Sequence, residues 1–144
     1  SIIFLSFIFT RCPMPEMCPL TIQLNRRLAK DWAKAFPKTP IKFVVVTLDP
    51  EFDKPAVLKK YKKDVGLGGP NFVFATGEKQ SLSDLAAEFN VVAFPAKGTL
   101  SHNLKSALLD QNLETISEFK DNEWKPQDVI KVFRTWSQKT QPRG

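Results

Sequence analysis

The stretch Ile2-Ile3-Phe4-Leu5-Ser6-Phe7-Ile8-Phe9-Thr10 runs directly into Arg11-Cys12-Pro13-Met14-Pro15-Glu16-Met17-Cys18-Pro19, and Leu20, Leu24, Leu28 and Trp32 then recur at every fourth position. An apolar run so rich in Ile and Phe predicts a fully buried strand over Ile2–Thr10. It is far shorter than the ~20 residues needed to span a bilayer. It also lacks the basic leader and the small-residue cleavage site of a signal peptide. Pro13 and Pro15 bend the chain, and Pro19 suits the first turn of a helix, where its missing N–H costs nothing. The four-residue repeat gives that helix one apolar face, and Phe36-Pro37 closes it. A buried strand at the very start leads us to expect a chain trimmed at its N-terminus, the missing piece holding a membrane anchor, a signal or extra strands.

Outward from this unit, Phe43–Leu48 reads as a second apolar strand ending at Asp49-Pro50, and Asp53 as the cap of a helix carrying Val57, Leu58 and Tyr61. Gly66–Pro70 is a turn, Phe72-Val73-Phe74 a third strand broken by Gly77, and Leu82, Leu85, Ala86 and Phe89 keep helical spacing. Val91–Ser101 is irregular. Leu104–Leu109 and Leu113–Phe119 form a hairpin about the turn Asp110-Gln111-Asn112, and Pro126 opens a last helix with Val129, Ile130, Phe133 and Trp136 inward. Strands alternating with helices imply right-handed crossovers and a mostly parallel sheet. The expected fold class is therefore α/β: a thioredoxin-like three-layer arrangement, its central sheet ending in an antiparallel hairpin and a C-terminal helix. Residues 1–144 make one domain of this kind.

The composition, 42% hydrophobic and 25% charged, is that of an ordinary globular chain. The formal charge of +6 is spread along it, through Arg26, Arg27, Lys59, Lys60, Lys62, Lys63, Lys131 and Arg134. No basic run is interleaved with stacking aromatics, which argues against nucleic acid as a partner. A positive surface can still steer an acidic protein or meet anionic lipid headgroups.

The chain has two cysteines and one histidine. Cys12 falls in the loop beyond the carboxyl end of the first strand, where ligands sit in open α/β sheets. Cys18 falls at the start of a helix, where amide groups and the helix dipole lower a thiol pKa from about 8.5 towards ~3.5–7.5. His102 immediately precedes a strand that would neighbour the first, so its loop can approach the cysteines. Two thiolates and an imidazole are a soft, three-donor set that favours Cu(I). Structural zinc takes four ligands, and Asp49 would be a weak fourth. The same cysteines also fit a plain dithiol/disulfide couple, or a disulfide that merely staples the loop.

Phe9-Thr10-Arg11-Cys12-Pro13 with Cys18-Pro19 resembles the strand-loop-helix of the Sco/SenC family of copper chaperones. Val46-Thr47-Leu48-Asp49-Pro50-Glu51-Phe52-Asp53, Phe72–Gly77, Ser101-His102-Asn103-Leu104 and Asn122-Glu123-Trp124-Lys125-Pro126 are similar, in order, to further segments of that family. The resemblance implies that Cys12, Cys18 and His102 bind copper, as Cu(I) or Cu(II). It implies a metallochaperone that delivers copper to, or reduces the cysteines of, the copper centre of cytochrome c oxidase. Its partner would be that copper-centre subunit or another copper or thiol protein. The site would lie outside the cytoplasm, in the bacterial periplasm or cell envelope (the intermembrane space in a eukaryote), with the membrane reached only through a missing anchor. If the pair is redox-active, Cys12 and Cys18 are the catalytic residues of a thiol–disulfide oxidoreductase. Asp49, Asp53 and Arg11 would be structural or would support the ligands from behind. The cysteines are separated by five residues where the family usually has three, so Cys12 must come from the loop. With metal–sulfur bonds of ~2.3 Å, the two sulfurs must then lie within ~4.6 Å of each other.

Overall fold

The protein is described by a computed structural model over residues 1–8, 18–89, 91, 105–120 and 123–140. The elements in chain order are β1 (Ile2–Ile8), α1 (Cys18–Ala35), β2 (Ile41–Thr47), α2 (Pro55–Asp64), β3 (Phe72–Ala75), α3 (Lys79–Glu88), β4 (Lys105–Leu109), β5 (Thr115–Lys120) and α4 (Pro126–Thr140). The strands form one sheet in the order β3-β2-β1-β4-β5. β1 pairs parallel with β2, and β2 with β3, while β4 runs antiparallel to both β1 and β5. This is the thioredoxin-like arrangement that the order of elements predicts.

The alternation of β1 builds the three layers, because successive side chains point to opposite faces of the sheet. Ile2 and Phe4 pack with Leu24, Leu28 and Trp32 of α1 and with Val129, Ile130 and Phe133 of α4. Leu5 and Phe7 pack with Leu82, Ala86 and Phe89 on the other side, where Tyr61 of α2 joins them. Phe4 sits at the centre of an aromatic cluster, its ring centroid 6.1 Å from Phe43 and 5.1 Å from Trp124. Burying such rings supplies most of the driving force for folding. Among the described residues no helix is long and apolar enough to cross a membrane.

Two expectations change. Asp53 does not cap α2: the N-cap is Lys54, with no side-chain cap bond and proline in the first turn. The Asp53 carboxylate instead turns inward and accepts the Thr47 hydroxyl at 2.6 Å, a charge-assisted bond inside the protein being stronger than an exposed cap. The second change is in the hairpin, where Leu113 belongs to the turn and β5 starts only at Thr115. The Asp110 carboxylate accepts the amides of Asn112 and Glu114 at 2.8 and 3.0 Å, which holds the chain in the turn.

Leu113 is left with φ +64° and is 66% exposed. A non-glycine residue in the left-handed region costs roughly 1–2 kcal/mol, and this one gains little from burial. Leu113→Asn should therefore raise stability by roughly 0.5–1 kcal/mol, since asparagine tolerates that conformation. Urea denaturation measures it, and an unchanged or lower midpoint would contradict the reading.

Candidate functional site

The parallel pairing of β1 with β2 decides where α1 begins. The chain leaves β1 at Ile8 and must re-enter β2 at the opposite end, so α1 runs back along the sheet and starts at the carboxyl end of β1. Cys18 is the first residue of α1. The helix has 18 residues, and its dipole places its positive end at this first turn.

β4 reaches the same end by a different route. Ser106 is the register partner of Ser6, and Leu109 of Ile3, so the start of β4 lies beside the Ile8 end of β1. Cys12 stands four residues beyond Ile8 and His102 three residues before Lys105 in the sequence. Cys12 and His102 themselves, with Arg11, lie outside the described residues. Among the described residues no group of three His, Cys, Asp or Glu side chains could hold a metal ion.

The elements flanking this end are tied together by buried polar groups that sequence reasoning missed. Ser6 of β1 and Ser106 of β4 share a hydrogen bond of 3.0 Å. Asn25 of α1 donates its Nδ2 to Ser6 Oγ at 3.3 Å and to the Thr21 carbonyl at 2.8 Å. All three side chains are 2% exposed or less. One joint thus links the strand that leads to Cys12, the helix that starts at Cys18 and the strand that follows His102. The signal was present in the sequence as a serine in the middle of an Ile/Phe strand, a position where a lone hydroxyl is costly unless partnered.

At the carboxyl end of β2, the Thr47-to-Lys54 connection is knit in the same way. The Leu48 amide donates to the Ile8 carbonyl at 2.8 Å, and the Asp53 amide to the Asp49 carbonyl at 2.8 Å. The Asp49 amide donates to Thr47 Oγ1 at 3.0 Å. Asp49 and Asp53 are both buried, at 5% and 0%. Asp53→Ala leaves the buried Thr47 hydroxyl without this acceptor and should cost about 1.5–3 kcal/mol. Adding Thr47→Val should restore part of that loss. Equilibrium unfolding of the single and double variants tests this, and a double variant no more stable than Asp53→Ala would argue against the pairing as the cause.

Comparison with known proteins bears on the chain as a whole. A SCO2-like protein of Rickettsia conorii is 29% identical over 120 residues, 78% of this chain, and the chain spans only 55% of that relative's length. The structure of BsSco, a member of the Sco family of cytochrome c oxidase assembly proteins in which a disulfide switch was identified, superposes with a TM-score of 0.76 at 24% identity, over 96% of this chain and 81% of BsSco. Yeast Sco1 with copper bound superposes with a TM-score of 0.75 at 18% identity, over 99% of this chain and 81% of Sco1. At these identities the structural likeness speaks for the fold. The family model described as SCO1/SenC matches residues 1–138, nearly the full length. With that match, the chain belongs to the SCO1/SenC family.

Proposed function

We propose that Cys12, Cys18 and His102 bind one copper ion, with two thiolates and one imidazole as donors. We further propose that the chain, acting as a single domain, delivers that copper to the copper centre of cytochrome c oxidase or reduces its cysteines. The observation that carries this reading is that the end of β1 at Ile8, the start of α1 at Cys18 and the start of β4 at Lys105 lie at one end of the sheet, and these are the described points nearest in sequence to Cys12, Cys18 and His102. Membership of the SCO1/SenC family supports it, as does the softness of the donor set, which matches Cu(I) as cargo. A thiolate serves metal binding and thiol exchange alike, so a partner that accepts copper, electrons or both fits the same cysteines. The proposed location is outside the cytoplasm.

The experiment is anaerobic titration of the reduced chain with Cu(I) against a competing chelator. One equivalent should bind tightly, and Cys12→Ser or Cys18→Ser should abolish tight binding. Tight binding that survives both substitutions would overturn the proposal. A thiol–disulfide oxidoreductase with no metal in its cycle is the second reading, favoured by the helix-start position of Cys18 alone. It predicts a reversible Cys12–Cys18 couple with no affinity for copper.

A further inference from the structure

The sheet has an open edge at β3, which pairs only with β2 among the described residues. The Phe43 amide donates to the Asn71 carbonyl at 2.8 Å. In a parallel ladder that bond fixes which groups of β3 face β2. The Phe72 carbonyl and both backbone groups of Phe74 are then left on the open side. Beside this edge, α2 and β3 enclose a recess of about 500 Å³ whose walls include Leu58, Lys59 and Lys62 from the helix and Phe72, Val73 and Phe74 from the strand. Val73 is 37% exposed there. Neither Lys59 nor Lys62 has a side-chain ion pair with another described residue, and Lys60 and Lys63 on the same helix are equally without one.

We propose that this edge is a docking site for an extended acidic segment of a partner protein. The segment adds as a sixth strand beside β3, takes up the outward backbone groups of Phe72 and Phe74, rests apolar side chains on Val73 and sets its carboxylates against Lys59 and Lys62. Strand addition to a free edge draws its affinity from main-chain hydrogen bonds and its selectivity from alternate side chains. Lysines along an edge also keep like strands from pairing. A second copy of this chain would bring the same lysines and its own charge of +6, so it is a poor occupant. An anionic membrane would satisfy the lysines but would leave the recessed backbone groups unmatched. The recess lies on the far side of β2 from β1, so the proposal is independent of copper binding.

The test uses the whole chain and a short fluorescent peptide of alternating Glu and Val. Two controls accompany it: the same peptide with Lys for Glu, and one N-methylated on alternate residues so that it cannot complete a strand. Measured by anisotropy, the Glu–Val peptide should bind and the Lys peptide should not. N-methylation or the double substitution Lys59→Glu/Lys62→Glu should weaken binding roughly tenfold or more, two reversed charges at a partly screened surface being worth about that much. Saturation with peptide should slow hydrogen exchange at the Phe74 amide. Circular dichroism and copper titration should be unchanged in the double variant. Equal binding of the N-methylated peptide, or of the parent peptide by the double variant, would overturn the proposal. So would capture of the chain by phosphatidylglycerol–phosphatidylcholine vesicles through Lys59 and Lys62 with no binding of the peptide.

Discussion

His102→Ala is expected to weaken Cu(I) binding by about a hundredfold or more without abolishing it. Groups that merely orient a metal ligand typically contribute 10–100-fold to affinity, so loss of a ligand should reach at least the upper end of that range. Two thiolates remain, and thiolates suit Cu(I), so residual binding should persist in the variant and vanish when either cysteine is also replaced. Exchange chemistry at the proposed Cys12–Cys18 pair would depend on the two sulfurs and not on an imidazole. Its reduction potential should therefore move little. Competition titration and redox equilibration with glutathione, run side by side on the wild type and the variant, separate the readings. A copper affinity equal to wild type would remove His102 from the donor set. Absence of copper affinity in the wild type would leave the oxidoreductase reading standing.

Trp32→Ala is the substitution expected to cost most in stability, about 3–5 kcal/mol. The side chain is 1% exposed. Its ring lies 4.8 Å from Phe36 and 4.7 Å from Phe133, centroid to centroid, so it joins α1 to α4. The indole N–H donates to the Thr39 carbonyl at 2.9 Å and holds the turn that leads into β2. Removing the ring opens a cavity between two helices packed side by side on one face of the sheet, and helices anchored to that sheet can collapse into it only in part. In a chain of this length the midpoint of thermal unfolding should fall by roughly 10 °C. Trp32→Phe, which keeps most of the packing and loses the hydrogen bond, should cost nearer 1 kcal/mol. Denaturant unfolding of the pair checks both values. A loss below about 1 kcal/mol for Trp32→Ala would mean that α1 and α4 are held mainly by other contacts.

Much of this architecture is legible in the amino-acid order. The Ile/Phe run at the start, the four-residue repeat from Leu20 to Trp32, and the apolar strands at Ile41–Thr47 and Phe72–Ala75 all carry their period within a few residues. Hydrophobic periodicity is a local property and survives without knowledge of neighbours. Side-chain partners reached through folding are less visible. Asp53, two residues before the first helical residue Pro55, looks like a helix cap by its residue type, yet Thr47 claims its carboxylate. Leu113 looks like the first residue of a strand by its side chain, yet Asp110 holds it in a turn. In both cases a local preference worth about 1 kcal/mol or less gives way to a hydrogen bond made elsewhere.

The kinds and order of the elements, the helix beginning near Cys18 and the likeness to the SCO1/SenC family could all be read from the linear order of residues. Folding in three dimensions was needed to show that β4 comes home beside β1, that Ser6, Ser106 and Asn25 join there, and that among the described residues β3 is left as an edge with lysines around it. The division has one physical reason. Periodicity and turn chemistry act over a few residues, whereas strand pairing and buried hydrogen bonds join groups up to a hundred positions apart, as Ser6 and Ser106 are, and are settled only when the whole core closes.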